Sequence, residues 1–228
     1  MGDIVEFASN GRAASGYLAV PASGSGPGVV VIQEWWGLVP HIIDVCDRAA
    51  ADGFVALAPD LFHGAKTTEP DEAGKLMMTL NLEQAGRDMG GAIDFLLGHD
   101  AVTADKVGVV GFCMGGGLAL LLGTQRPDQI AAIAPFYGVI PWESAEPDWS
   151  KLEASVRGHF AAEDGFFGPD QVKALEATLV GLGKDVELVV HPGVDHAFFN
   201  DTRPEVHHPE TSKKAWDATM AFFHDRLD

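Results

Sequence analysis

The stretch Gly111-Phe112-Cys113-Met114-Gly115-Gly116 follows the apolar run Val107 to Val110 and opens into Leu118, Ala119, Leu120, Leu121 and Leu122. A β-branched run, a glycine-bracketed turn and a block of helix formers read as strand, elbow and helix. In the G-x-S-x-G nucleophile elbow the turn is so tight that side chains at the glycine positions would clash, and the nucleophile is lifted above the sheet edge in a strained conformation. Cys113 stands where serine usually does. A helix starting at Met114 aims its free amides and the positive end of its dipole at that sulfur, which favours negative charge on the thiol and on an oxyanion beside it. Gly115-Gly116-Gly117 lets the helix pack closely on the sheet.

Working outward, strands alternate with helices on both sides of the elbow. Ile4 to Phe7 and Ser15 to Val20 form a hairpin of edge strands about Asn10-Gly11, and Pro21 to Pro27 form a Gly/Ser/Pro loop. Val29 to Ile32 is a continuous β-branched run, the mark of a strand buried on both faces of a parallel sheet. It leads into Gln33-Glu34-Trp35-Trp36-Gly37. A helix over His41 to Asp52 stops at Gly53, and Phe54 to Ala58 is a strand. Leu61 to Asn81 is irregular, enters a helix over Ala73 to Leu80, and is expected to overhang the site. A helix over Glu83 to Leu97 precedes the Val107 strand. Beyond the elbow come a strand over Ile130 to Phe136, a strand over Ser155 to Ala161, a helix over Asp170 to Leu182, a strand over Val186 to Val190 and a closing helix over Trp216 to Leu227. This alternation predicts one α/β domain over residues 1–228, with a mostly parallel central sheet and helices on both faces. Right-handed crossovers bring the strand C-termini, and the loops that follow them, to a single edge.

Composition narrows the function. A chain of 228 residues with 46% hydrophobic content is long enough for one sizeable core. Fifteen basic against 33 acidic residues give a net charge of -18, which argues against nucleic acid or an anionic membrane as partner. Two cysteines, Cys46 and Cys113, make no disulfide framework and suit a reducing cytoplasm. The acidic start, with Asp3 and Glu6, is not a secretory signal, and Glu6 stands where a myristoylation motif needs Ser or Thr. Neither a dinucleotide fingerprint nor a P-loop is present, so no cofactor is expected. His191, His196, His207 and His208 lack the helical spacing of a zinc hydrolase, and no metal is expected either.

Acyl transfer by a cysteine needs a base for the thiol proton and a carboxylate to orient that base. Asp164, in Ala161-Ala162-Glu163-Asp164-Gly165, and His196, in Gly193-Val194-Asp195-His196-Ala197-Phe198, each follow a predicted strand. Both therefore project from the edge that carries Cys113. The order nucleophile, acid, histidine is that of α/β-hydrolases. Glu163 and Asp195 are the rival carboxylates. The oxyanion amides are expected from Met114 and, after the Val29 strand, Trp35. Glu34, on the same loop, either opposes thiolate formation, accepts the thiol proton, or is solvated or paired with an arginine. Trp36, Tyr137 and Phe198 are candidates for an apolar substrate pocket.

Together GFCMGG, QEWWG, APDLFHG, AAEDGFFGP and DHAFFNDTRP resemble the dienelactone hydrolase family of α/β-hydrolases, from about Val29 to the C-terminus. The resemblance implies a Cys113, Asp164 and His196 triad, with Glu34 holding the resting thiol until substrate displaces it. It also implies hydrolysis of an ester, lactone or thioester bond in a small-molecule substrate, by way of a covalent acyl-enzyme. The family grips a substrate carboxylate with two arginines. Here Thr67 to Leu80 contains no arginine, Asn200 follows His-Ala-Phe-Phe, and Arg203 lies nearby but displaced. The readings from other classes are a thiol redox or sensing protein and a binding protein that kept the fold without the reaction.

Overall fold

Eight strands form one sheet in the order β1-β2-β4-β3-β5-β6-β7-β8 in a computed structural model that describes residues 2–228. The strands are β1 (Asp3–Ser9), β2 (Arg12–Ala19), β3 (Gly28–Ile32), β4 (Val55–Pro59), β5 (Val107–Phe112), β6 (Ile130–Phe136), β7 (Ser155–Ala161) and β8 (Val186–His191). Pairings from β4 through β8 are parallel, whereas β1 pairs antiparallel with β2 and β2 antiparallel with β4.

The apolar runs divide by period two between the faces of the sheet. Val30, Ile32, Val107 and Val109 point into one core, shared with α3 (Leu82–Leu97) and α4 (Met114–Gln125). Val29, Val31, Val110 and Phe112 point into the other, shared with α1 (Pro40–Ala51) and α6 (Pro209–Leu227). Burial on both faces is what continuous β-branched runs demand of interior parallel strands. α5 (Pro169–Gly181) packs on β7 and β8, and α2 (Pro70–Met78) lies beyond the C-terminal end of β4.

Three sequence expectations are corrected. β2 is not an edge strand: it lies between β1 and β4, with its last four residues buried. At Gly16 a Cβ would sit 2.5 Å from the Ala58 carbonyl oxygen, so the missing side chain permits this pairing. The closing helix begins at Pro209, well before Trp216, because its charged early residues (Glu210, Lys213, Lys214) obscure the apolar stripe while Pro209 takes the first helical position. Pro70 likewise opens α2 ahead of Ala73.

No helix among the described residues is long and apolar enough to cross a membrane.

Candidate active site

Cys113 closes β5 and caps α4, with φ 55° and ψ -123°. A non-glycine residue there costs about 1–3 kcal/mol and persists only where its surroundings hold it. Those surroundings are β6 and three glycines. The Cys113 amide donates to Phe136 O at 3.1 Å, and the Cys113 carbonyl accepts from Val139 N at 3.2 Å and Gly116 N at 2.9 Å. A Cβ on Gly111 would strike the Gly115 carbonyl, one on Gly115 would come within 2.5 Å of Ile32 O, and one on Gly116 within 2.7 Å of the Gly138 Cα. These clashes explain the glycine-rich elbow read in the sequence. They also press the first turn of α4 against the end of β3, from which the Glu34-Trp35-Trp36 loop departs.

The His196 ring stands beyond β8, and its Nδ1 lies 2.7 Å from Asp164 Oδ2. The other oxygen of Asp164 accepts the amides of Phe166 (2.7 Å) and Phe167 (3.0 Å). Burial alone would raise the Asp164 pKa, but the hydrogen bond from His196 and the two amides outweigh it and hold the carboxyl below its ordinary range. Burial alone would depress His196. The bond to Asp164 and the neighbouring Cys113 sulfur instead push it up to about 10. The rivals do other things: Asp195 Oδ1 accepts from the His196 amide at 2.6 Å, and Glu163 is exposed.

Cys113 and His196 border the same cavity of about 610 Å³, which Glu34, Trp35, Trp36 and Arg203 also line. Among the described residues, neither the Trp35 nor the Met114 amide has a backbone acceptor. α2 overhangs this cavity, as expected: Pro70 and Met77 line it, and the Trp142 indole donates to Met77 O at 3.0 Å.

Glu34 is buried, and among the described residues its side-chain hydrogen bonds come from an amide and a phenol rather than an arginine. Asn200 Nδ2 donates to its Oε2 at 2.6 Å and the Tyr137 hydroxyl to its Oε1 at 3.3 Å. Burial and the Glu34 and Cys113 charges raise the Tyr137 pKa well above 10, so its proton stays on the oxygen as a donor. Thr202 N and Oγ1 both donate to Asn200 Oδ1, which turns the Asn200 amide nitrogen toward Glu34. Sequence reasoning missed Asn200 as a partner of Glu34. The available signal was that a buried carboxylate needs donors, and Asn200 lies four residues after His196.

The pocket assignments divide. Trp36 lines the cavity, but Tyr137 and Phe198 do not. Both are fully buried one layer behind it. Tyr137 meets the His196 ring edge-on with centroids 5.1 Å apart and packs on Phe198 at 5.4 Å. They buttress the imidazole because the histidine loop folds back over β6. Phe166 and Phe167, from the acid loop, take the lining positions instead.

A strained cysteine at a strand-to-helix elbow, with an acid-bound histidine beside the same cavity on a mostly parallel sheet, defines the α/β-hydrolase class. The comparisons with known proteins narrow it further. The profile of the dienelactone hydrolase family matches residues 14–227, and the chain belongs to that family. It is 39% identical to the protein usf of Aquifex pyrophilus over the whole of both chains. It is 35% identical to a protein of Aquifex aeolicus provisionally named carboxymethylenebutenolidase, over 98% of each chain. A crystal structure from Klebsiella pneumoniae, provisionally described as a dienelactone hydrolase, superposes with a TM-score of 0.87 at 28% identity, covering 98% of this chain and 99% of that one. The enzyme class is that of ester and lactone hydrolases.

Proposed function

We propose that the protein hydrolyses a small-molecule ester or lactone through Cys113, His196 and Asp164 by way of an acyl-enzyme. The observation that carries this reading is His196: one ring nitrogen is held by Asp164, while the ring borders the cavity into which the strained elbow presents Cys113. Cys113 gives its proton to His196 and its sulfur attacks the carbonyl. The amides of Trp35 and Met114 hold the resulting oxyanion. As the tetrahedral intermediate collapses, the C–O bond to the alcohol breaks and His196 protonates the departing oxygen, leaving a thioester on Cys113. His196 then takes a proton from water, hydroxide adds to the thioester carbonyl, the C–S bond breaks, and His196 returns the proton to the Cys113 sulfur as the acid product departs. In the resting enzyme Glu34, held by Asn200 and Tyr137, interacts with the thiol until substrate displaces it, as the family resemblance implies.

Cys113→Ala is expected to remove turnover of p-nitrophenyl acetate and of simple lactones while leaving the circular dichroism spectrum and Tm in place. Intact-protein mass spectrometry of rapidly quenched wild type is expected to show one acyl adduct. Full activity in a folded Cys113→Ala protein overturns the mechanism. No observation favours the redox reading: Cys46, the other thiol, is wholly buried in α1, where burial raises its pKa.

A further inference from the structure

The cavity beside Cys113 is larger and more apolar than a small, charged lactone requires. Its volume of about 610 Å³ falls among those that enclose drug-sized ligands. Besides the Cys113 thiol, among the described residues only Glu34, Gln171, His196 and Arg203 bring a charged or amide side chain to its wall. Met77, Leu120, Ile140, Trp149, Phe167 and Leu175 also line it, and all six pack into the hydrophobic core on the α4 face of the sheet. An apolar lobe thus opens from the reacting sulfur toward that core.

Arg203 is poorly placed to make this a carboxylate site. Its guanidinium lies over the Trp36 ring, 5.8 Å from the centroid, and its Nε donates to Glu205 Oε1 at 2.9 Å. A substrate carboxylate would also enter beside the buried Glu34 and against a net charge of -18. The wall therefore selects by apolar area rather than by charge.

We propose that the substrate is a neutral ester or lactone carrying a bulky apolar substituent, an aryl group or an alkyl chain of about six to ten carbons, that fills the lobe lined by Leu120, Trp149, Phe167 and Leu175. This rests on the hydrolase reading above and deepens it. The lobe is lined by apolar side chains, so each methylene that packs into it is withdrawn from solvent.

The test uses two homologous series on the full-length protein: p-nitrophenyl esters from acetate to decanoate, and alkyl acetates from ethyl to octyl followed by acid release. In at least one series kcat/KM is expected to climb about two- to fourfold per methylene over the shorter members, since burying a CH2 is worth up to ~0.8 kcal/mol and ~1.4 kcal/mol is tenfold. Leu120→Trp, which fills the lobe, is expected to lower the ratio of long-chain to acetyl turnover at least tenfold. Leu120→Ala is expected to move the optimum to longer chains, and it keeps the proposal testable if the tryptophan variant does not fold. Turnover that is flat with chain length in both series overturns this inference and leaves the hydrolase reading standing. So does a carboxylate-bearing lactone preferred tenfold over its methyl ester. No turnover and no acyl adduct with any ester overturns both.

Discussion

Replacing Asp164 with asparagine changes one atom of the side chain and reverses one hydrogen bond. In the wild type, Oδ1 of Asp164 is committed to the amides of Phe166 and Phe167, and Oδ2 faces His196 Nδ1 at 2.7 Å. An asparagine keeps the loop in place only if its oxygen stays on those two amides, which turns its NH2 toward the imidazole. When the ring is neutral, Nδ1 must then accept, and the single ring proton moves to Nε2, on the side where the base needs a lone pair. The imidazolium also loses its anionic partner. A buried hydrogen bond to a charged group is worth about 1.5–3 kcal/mol, so the His196 pKa is expected to fall from about 10 by roughly one to two units. With the wrong tautomer, kcat on p-nitrophenyl acetate is expected to drop by about 10³–10⁴, the scale of the same change in serine triads. The assays are the pH dependence of kcat/KM and the NMR titration of the His196 ring protons. The stability contributed by the pair has two limits. The part from His196, whose pKa is raised by folding, is complete below about 6.5 and fades as the pH climbs through about 10. The part from Asp164, whose pKa is lowered by folding, is present above about 3.8 and is lost below it. Activity within threefold of wild type, with His196 still titrating near 10, refutes the role assigned to Asp164.

Three further outcomes follow from the geometry. Asn200→Ala removes the 2.6 Å donor from the buried Glu34 and is expected to cost about 1–3 kcal/mol in urea unfolding, with a shifted pH profile for kcat/KM that a purely structural loss would not produce. Gly115→Ala places a Cβ 2.5 Å from the Ile32 carbonyl and is expected to lower stability by about 2–4 kcal/mol and activity with it, measured by Tm and initial rate. His159 lies buried on β7 with Nδ1 3.1 Å from His191 Nε2, and burial lowers its pKa to about 3. The unfolded chain therefore binds more protons below pH 6.5, so stability falls with acid. His159→Phe is expected to flatten the loss of Tm between pH 6.5 and 4.

The legible parts of this chain are those where local chemistry permits one answer. The β-branched runs of β3 and β5 admit only a doubly buried strand, and the elbow glycines admit only a turn without side chains. Asp164 and His196 were legible because each directly follows a strand of a parallel sheet, which fixes the edge they occupy. The insertion of β2 beside β4 was not, because strand order depends on long-range pairing and a short alternating segment looks the same at an edge or one place in. The pocket wall was misread at Tyr137 and Phe198 for a related reason. Proximity in sequence to a reactive residue does not say which side of the backbone an aromatic ring takes: with positive φ at Tyr137 (φ 38°) and Ala197 (φ 64°), Gly138, Val139 and Ala197 face the cavity while the Tyr137 and Phe198 rings lie behind the imidazole. Asn200 escaped notice because its role exists only once Glu34 is known to be sealed from water.

The shared wall has one more consequence. Since Leu120, Phe167 and Leu175 belong to the folded core and to the chamber at once, an inhibitor lodged there is thermodynamically an added core side chain, linked to the native state alone. Tolerance to heat and choice of guest are then adjusted by the same few atoms, and a lineage cannot widen its diet at these positions without loosening the body that houses it.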